Sequence, residues 1–214
     1  TDIPGIAGHL LAASVMSAPA ALVIAKIIYP ETKQSDTLGN VNINIENKSS
    51  NVMEALGNGA TDGMKLAANV AAMLIAFLSI VAMLDYMLGF INTSLDQILG
   101  IFFRPLAWAM GVSWEESAYL AILMGKKIAF TELIAYGDLK TILSSGVISD
   151  RTAIIASYAL CGFANFGSIG IQLGGIGGIA PNRKKDLASL VTKAMIGGAL
   201  ASWLTATIAG ILIE

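Results

Sequence analysis

Glu132 is a carboxylate in an otherwise apolar part of the sequence. It lies in AFTEL, residues 129–133. Taking an ionised carboxylate out of water costs several kcal/mol unless it is paired or reaches water, so an acid in such a place suggests a binding or transport role. The alternative is that the segment lies at a membrane surface, where Glu132 is solvated beside Lys126 and Lys127.

Asn165 and Ser168 form a second candidate site, an amide with a nearby hydroxyl. They lie in CGFANFGSIG, residues 161–170, with glycine on both sides. Three positions apart, they share one face of a regular helix, and the glycines favour unwinding. Transporters place substrates at such helix breaks, and an amide beside a hydroxyl suits the hydroxyl groups of a sugar. Hydrogen bonding between neighbouring helices explains the same two residues equally well.

The remaining polar and glycine patterns favour structure over catalysis. Gly170, Gly174 and Gly178 repeat every four residues, which indicates close helix packing. The run GGIGG at 174–178 is no phosphate loop, because no Lys-Ser/Thr follows it. His9 and Cys161 are the only histidine and cysteine, which leaves no basis for a His-rich metal site or an internal disulfide. We find no catalytic constellation and expect no enzyme activity.

The composition predicts a protein embedded in a lipid bilayer. Of 214 residues, 55% are hydrophobic and 13% are charged, whereas soluble domains carry about 25% charged residues. The formal net charge of −2 gives no reason to expect nucleic acid as a partner.

Long apolar segments predict an all-α, multi-spanning fold. A spanning helix needs roughly 20 mainly apolar residues. Three segments meet this requirement: 1–30, 63–92 and 187–213. Within the second, Leu66–Leu84 contains no charged residue.

The connecting segments predict shorter elements. Residues 31–62 predict a polar loop followed by a short interfacial helix over Val52–Asp62. Residues 93–113 carry charges and aromatic residues together, which predicts an amphipathic interfacial helix broken at Pro105.

Residues 114–181 predict two interrupted elements. Two apolar pieces, Tyr119–Met124 and Ile128–Ala135, flank Gly125-Lys126-Lys127, and each is too short to cross a membrane. Together they predict a re-entrant helical hairpin, which must be buried in protein or face a water-filled cavity. The next apolar region, 151–181, is rich in glycine, so we expect an unwound helix there.

The basic connector NRKK, residues 182–185, predicts the orientation. The positive-inside rule places it in the cytoplasm and the C-terminus, after one more crossing, outside.

Four motifs in order resemble the concentrative nucleoside transporter family. The longest is ALCGFANFGSIGI at 159–171, followed by LGG at 173–175 and IAP at 179–181. The others are LAASVMSAPAAL at 11–22, GATDGMKLA at 59–67, and GKKI at 125–128 with TEL at 131–133. The resemblance covers nearly the whole chain except the polar loop.

The resemblance implies secondary-active uptake of nucleosides, of the uridine, cytidine and adenosine class, across the plasma or inner membrane. Members are homotrimers that use alternating access, driven by a sodium or proton gradient, without a cofactor. The segment 63–92 would belong to the scaffold domain, and 114–214 would be half of the transport domain, with its hairpin, unwound helix and final span. In the family, residues matching Glu132, Asn165 and Ser168 bind ribose, and the residue matching Phe163 lines the site. Leu66 is implied as an apolar contact to the base.

This sequence departs from the family pattern in two respects. Gly167 stands where many relatives have serine, which predicts a looser break or an altered base preference. The first hairpin, with its Gly-Gln-Thr-Glu motif, and the helix after it are not among these residues. We therefore expect the chain to be a C-terminal half without a metal site, whose missing N-terminal half holds the base contacts and the ion site.

Two other functions fit parts of the sequence. A membrane scaffold subunit that transports nothing would use the polar groups only between helices and would gain no stability from a ligand. A channel would use rings of pore-lining residues, and uptake against a gradient would exclude it.

Overall fold

A computed structural model describes residues 5–32 and 50–213, so most of the predicted polar loop lies outside the described residues. All regular elements within these ranges are helices, which confirms the predicted all-α fold. The helices are α1 (Ile6–Ile28), α2 (Val52–Gly89), α3 (Leu95–Ala109), α4 (Trp114–Ala129), α5 (Glu132–Ser144), α6 (Asp150–Leu160), α7 (Phe166–Ile179) and α8 (Lys184–Leu212). One turn of 3-10 helix, Pro181–Arg183, leads into α8.

Three helical segments are long and apolar enough to cross a membrane: α1, α2, and α8 with the turn before it. They differ in how much of their apolar surface the described chain covers. Half of the most apolar stretch of α8 is buried, against 11% for α1 and 6% for α2. α8 is therefore a central helix, whereas α1 and α2 present their apolar faces outward, as helices in contact with lipid or further protein do.

α2 is a single helix, so the predicted boundary between an interfacial helix and a spanning helix at residues 62–63 is wrong. The helix runs from Val52 to Gly89. Its start is capped by Asn51, whose side chain accepts a hydrogen bond from the Glu54 N–H at 2.9 Å. The glycines near this end do not stop the helix, because each costs only about 1 kcal/mol relative to alanine.

α3 is also continuous, so the predicted break at Pro105 is wrong. Proline removes one helix hydrogen bond, but close packing on α4 holds the helix together. A Cβ atom at Gly100 would lie 3.2 Å from the Ile122 side chain, which shows how near the two helices come. The opposite face exposes Phe102 and Trp108, so α3 has the predicted amphipathic character.

α4 and α5 form a helical hairpin, but its turn lies at residues 130–131, beyond the predicted position. Gly125-Lys126-Lys127 is helical instead. Gly125 admits the backbone of Asp96 on α3, since any side chain there would collide with the Asp96 carbonyl. Lys126 lies 3.7 Å from Asp96 and also pairs with Asp138 on α5. The helix tolerates Lys126 here because its charge is paired with two carboxylates.

The chain leaves the helical path between α6 and α7, at residues 161–165, as the glycine-rich sequence predicted. Gly162 has a φ of 112°, in a region that residues with a side chain rarely adopt. We call residues 161–165 the break. α7 begins after it, at Phe166.

The glycine face of α7 packs on α2, as the four-residue spacing predicted. A Cβ atom at Gly170 would lie 2.9 Å from the Phe77 ring and 3.0 Å from the Met73 carbonyl oxygen. A Cβ atom at Gly174 would lie 3.1 Å from the Asn69 carbonyl oxygen. The two helices therefore meet backbone to backbone.

Replacing Gly170 with alanine should destabilise the protein. The added Cβ would press on the α2 backbone, and such overpacking costs about 1–3 kcal/mol. We expect a lower apparent melting temperature for the purified variant in detergent. The matched control is Gly137→Ala on α5, where a Cβ meets no described atom within 4 Å and the melting temperature should stay the same or rise. A Gly170→Ala variant that melts like wild type would contradict this packing.

Candidate functional site

Glu132 and Asn165 meet although they belong to different helices. Glu132 is the first residue of α5, and Asn165 is the N-cap of α7. Asn165 Nδ2 donates to Glu132 Oε2 at 3.3 Å. Asn165 is only 3% exposed, whereas Glu132 is half-buried. The carboxylate therefore has one side against the protein interior and one side open.

Ser168 joins this group through a capping box with Asn165. Asn165 Oδ1 accepts from the Ser168 N–H at 2.7 Å, and Ser168 Oγ accepts from the Asn165 N–H at 3.3 Å. The Ser168 hydroxyl also donates to the Asn165 carbonyl oxygen at 2.6 Å. Because the cap uses the oxygen of the Asn165 amide, its NH₂ group is directed to Glu132. The helix start thus orients the amide.

Phe163 lies in the break, and its side chain is 74% exposed. It borders an open cavity of about 250 Å³ that α1, α7, α8 and the break line. Ser17, Gln172 and Ser202 contribute polar groups to the same cavity. Phe163 is therefore an exposed side chain two residues before Asn165, and the residues that line this cavity do not include Glu132, Asn165 or Ser168.

Leu66 lies apart from these residues in this arrangement. It faces the far half of α7, where its side chain is 3.8 Å from the Cβ position of Gly175. Gly175 is ten residues from Asn165, which is about 15 Å along a helix. The structure thus groups Glu132, Asn165 and Ser168; Phe163 is near them in sequence but lines a cavity that they do not line, and Leu66 lies apart.

Sequence reasoning did not single out two hairpin side chains that hold the end of α6. Lys127 is fully buried, and its Nζ donates to the Ala159 carbonyl oxygen and to Ser202 Oγ, both at 2.9 Å. The Tyr136 hydroxyl donates to the Ser157 carbonyl oxygen at 2.6 Å. A signal existed for the lysine, because a charged residue within an apolar segment points to function whatever its sign. Tyrosine gives no such signal.

Comparison with known proteins decides the family. Residues 9–210 match the family described as Na+ dependent nucleoside transporter C-terminus. This chain belongs to that family. The family consists of transporters, in agreement with the expectation of no enzyme activity, and the match confirms the resemblance seen in the motifs.

Two relatives show how much of a complete transporter is present. Solute carrier family 28 member 3 of Mus musculus is 42% identical over 227 residues, which cover 96% of this chain and 32% of that protein. Sodium/nucleoside cotransporter 2 of Rattus norvegicus is 40% identical over 228 residues, which cover 96% of this chain and 34% of that protein. The chain therefore spans about a third of the length of these relatives.

The fold agrees with that of a solved transporter of this family. A variant of CNTnw in an outward-facing state superposes with a TM-score of 0.85 at 38% identity. The match covers 96% of this chain and 51% of that chain. The helical membrane fold is therefore that of the family.

Replacing Asn165 with alanine should loosen the start of α7. The variant loses its N-cap, which is worth about 0.5–2 kcal/mol, and the bond to Glu132. We expect faster amide exchange in peptides covering residues 163–170, measured by hydrogen–deuterium exchange mass spectrometry on the complete transporter. Asn165→Ser is the matched control, since serine is also a favourable N-cap without a new charge beside Glu132, and it should keep most of the protection. Wild-type exchange in the alanine variant would show that the cap does not hold this segment.

Proposed function

We propose that this chain supplies the ribose-binding half of a secondary-active nucleoside transporter that works by alternating access at the cell membrane. The contact between Glu132 and Asn165 carries the proposal, because it joins the hairpin to the break with two polar groups that suit a sugar. The family match and the name of the rat relative support a nucleoside as cargo and sodium as the coupling ion. A proton gradient is the alternative driving force.

The chemistry of ribose fits the donors and acceptors of the site. A carboxylate accepts hydrogen bonds at both oxygens, and an amide NH₂ donates two. Glu132 would accept from the ribose hydroxyls, Asn165 would donate to them, and Ser168 would contribute its hydroxyl. Bonds to an ionised acceptor are among the strong ones in proteins. Phe163, exposed in the break two residues before Asn165, would supply an apolar wall to the site.

The rest of the site is proposed to lie outside this chain. The relatives are about two to three times as long as the chain, which leaves room for the nucleobase contacts, the ion site and the homotrimer contacts. Leu66 is proposed as an apolar contact to the base. Since Leu66 faces Gly175 here, this contact needs α7 to take a different position along α2.

We also propose that the C-terminus lies outside the cell. The connector with Arg183, Lys184 and Lys185 stands at the start of α8. At the other end of α8, the Arg151 guanidinium donates to the Gly210 carbonyl oxygen at 2.6 Å and also bonds the Gly111 carbonyl. The turn between α3 and α4 therefore lies at the end of α8 opposite the basic connector, which the positive-inside rule assigns to the cytoplasm.

Replacing Glu132 with glutamine in the complete transporter should abolish or severely weaken uridine uptake while leaving trimers intact. Glutamine has nearly the same size but lacks the charge that accepts the sugar hydroxyls, and losing a charged hydrogen bond costs about 1.5–3 kcal/mol, or about 10- to 100-fold. Uptake of labelled uridine into proteoliposomes and size-exclusion chromatography are the measurements. Glu115→Gln, at an exposed acid in the first turn of α4, should transport normally. Normal uptake by Glu132→Gln would remove Glu132 from the site.

Uridine should also stabilise the complete protein against heat. A ligand at 100 times its dissociation constant stabilises by about 2.7 kcal/mol, whereas a scaffold subunit predicts no change in melting temperature. The comparison is made in sodium and in choline at equal ionic strength. A larger shift in sodium supports sodium coupling, and equal shifts contradict it. Uptake that never exceeds the external uridine concentration would indicate a channel.

A further inference from the structure

The end of α6 has to satisfy its backbone carbonyl groups inside the protein. The last four carbonyls of a helix lack partners within the helix, and an unsatisfied group in a bilayer costs several kcal/mol. Three of them have donors here. The pairs are the Tyr136 hydroxyl with Ser157 at 2.6 Å, the Cys161 N–H with Tyr158 at 3.1 Å, and Lys127 Nζ with Ala159 at 2.9 Å. Two of the three donors are side chains of the hairpin.

Lys127 stands out among these donors because it carries a charge. Its side chain is 0% exposed. Nζ has three oxygen partners: Ala159 O at 2.9 Å, Ser202 Oγ at 2.9 Å and, at a longer 3.5 Å, Cys161 O. The ion pairs among the described residues involve other basic side chains. The ammonium group thus sits among neutral oxygens, as a bound monovalent cation would, at the negative end of the α6 dipole.

Lys127 and Glu132 contact the two ends of the break from the two arms of the hairpin. Lys127, near the end of α4, bonds the last turn of α6. Glu132, at the start of α5, accepts from Asn165 at the start of α7. Ser202, on α8, accepts a hydrogen bond from the same ammonium group. The short break is therefore attached to the hairpin at both ends.

We propose that Lys127 is a positioning residue for nucleoside binding, a tethered internal cation that keeps the break in the conformation where Asn165 faces Glu132. The proposal rests on the function proposed above. Without the charge, the carbonyls of Ala159 and Cys161 lose a donor, and the desolvation penalty of such groups favours a shifted or rewound break. Asn165 would then no longer be held opposite Glu132. Burying an ammonium group costs free energy. The hydrogen bonds that Lys127 donates to the backbone carbonyl groups explain why a buried lysine is present here.

Replacing Lys127 with methionine in the complete transporter tests this proposal, because methionine has a similar length and no charge. We expect the uridine dissociation constant to rise at least about tenfold, measured by calorimetry well below the melting temperature. Amide exchange should quicken in peptides covering residues 159–165 and stay unchanged in α3. A purely structural lysine would lower the melting temperature and leave the dissociation constant of the folded protein as it was. A dissociation constant within about twofold of wild type would overturn the proposal.

Two further variants make the test specific. Lys140→Met removes an exposed lysine of α5 and should bind uridine like wild type. If Lys127→Met does not fold, Ser202→Ala removes only one of the three oxygens and should raise the dissociation constant by about two- to fivefold; an unchanged value would overturn the proposal. If wild-type protein binds no uridine, the proposed function fails and this inference with it. If wild type binds and Lys127→Met binds equally well, only the inference fails.

Discussion

Hydrogen bonding at the break between α6 and α7 is the constraint on which the site depends. A chain that unwinds away from water must find new partners for its backbone, and here side chains of other helices supply them. Lys127 and Tyr136 bond the last turn of α6, and Asn165 restarts the helix through its own capping box. Three of the last four carbonyl groups of α6 and the start of α7 thus have partners, and in this arrangement Asn165 faces Glu132. The geometry of the site is therefore a consequence of how the backbone is paired.

The α4–α5 hairpin that supplies these donors is itself held in place by α3. α3 lies against α4 so closely that a side chain at Gly125 would collide with the α3 backbone and one at Gly100 would be tightly packed. Lys126 connects the two arms of the hairpin and α3 by ion pairs that are partly shielded from water, which strengthens them relative to pairs at an open surface. Packing therefore fixes the hairpin, the hairpin fixes the break, and the break orients the polar side chains.

The sequence singled out polar side chains that the structure brings together, but it misplaced several helix ends. Glu132 and Asn165 could be found because the cost of burying a polar group is large whatever the fold. Pro105 and Gly125 were interpreted as breaks because local propensity was the only signal at hand. One such residue costs about 1–3 kcal/mol, which tertiary packing outweighs. The role of Tyr136 depends on where α6 ends in space, and the position of Leu66 depends on how α7 packs on α2. Both depend on tertiary structure, which the neighbouring residues in the sequence do not determine.

α2 is much longer than a bilayer is thick. Its 38 residues span about 57 Å, against about 30 Å of hydrocarbon. The uncharged run Leu66–Leu84, between Lys65 and Asp85, matches that thickness. Asp85 Oδ1 accepts from the N–H of Leu95, where α3 begins, at 2.8 Å. The thickness of the hydrocarbon layer thus sets how deeply α2 sits in the membrane. Because Asp85 bonds the start of α3, it also sets the level of α3. The first turns of α2, before Leu66, then extend beyond the hydrocarbon layer.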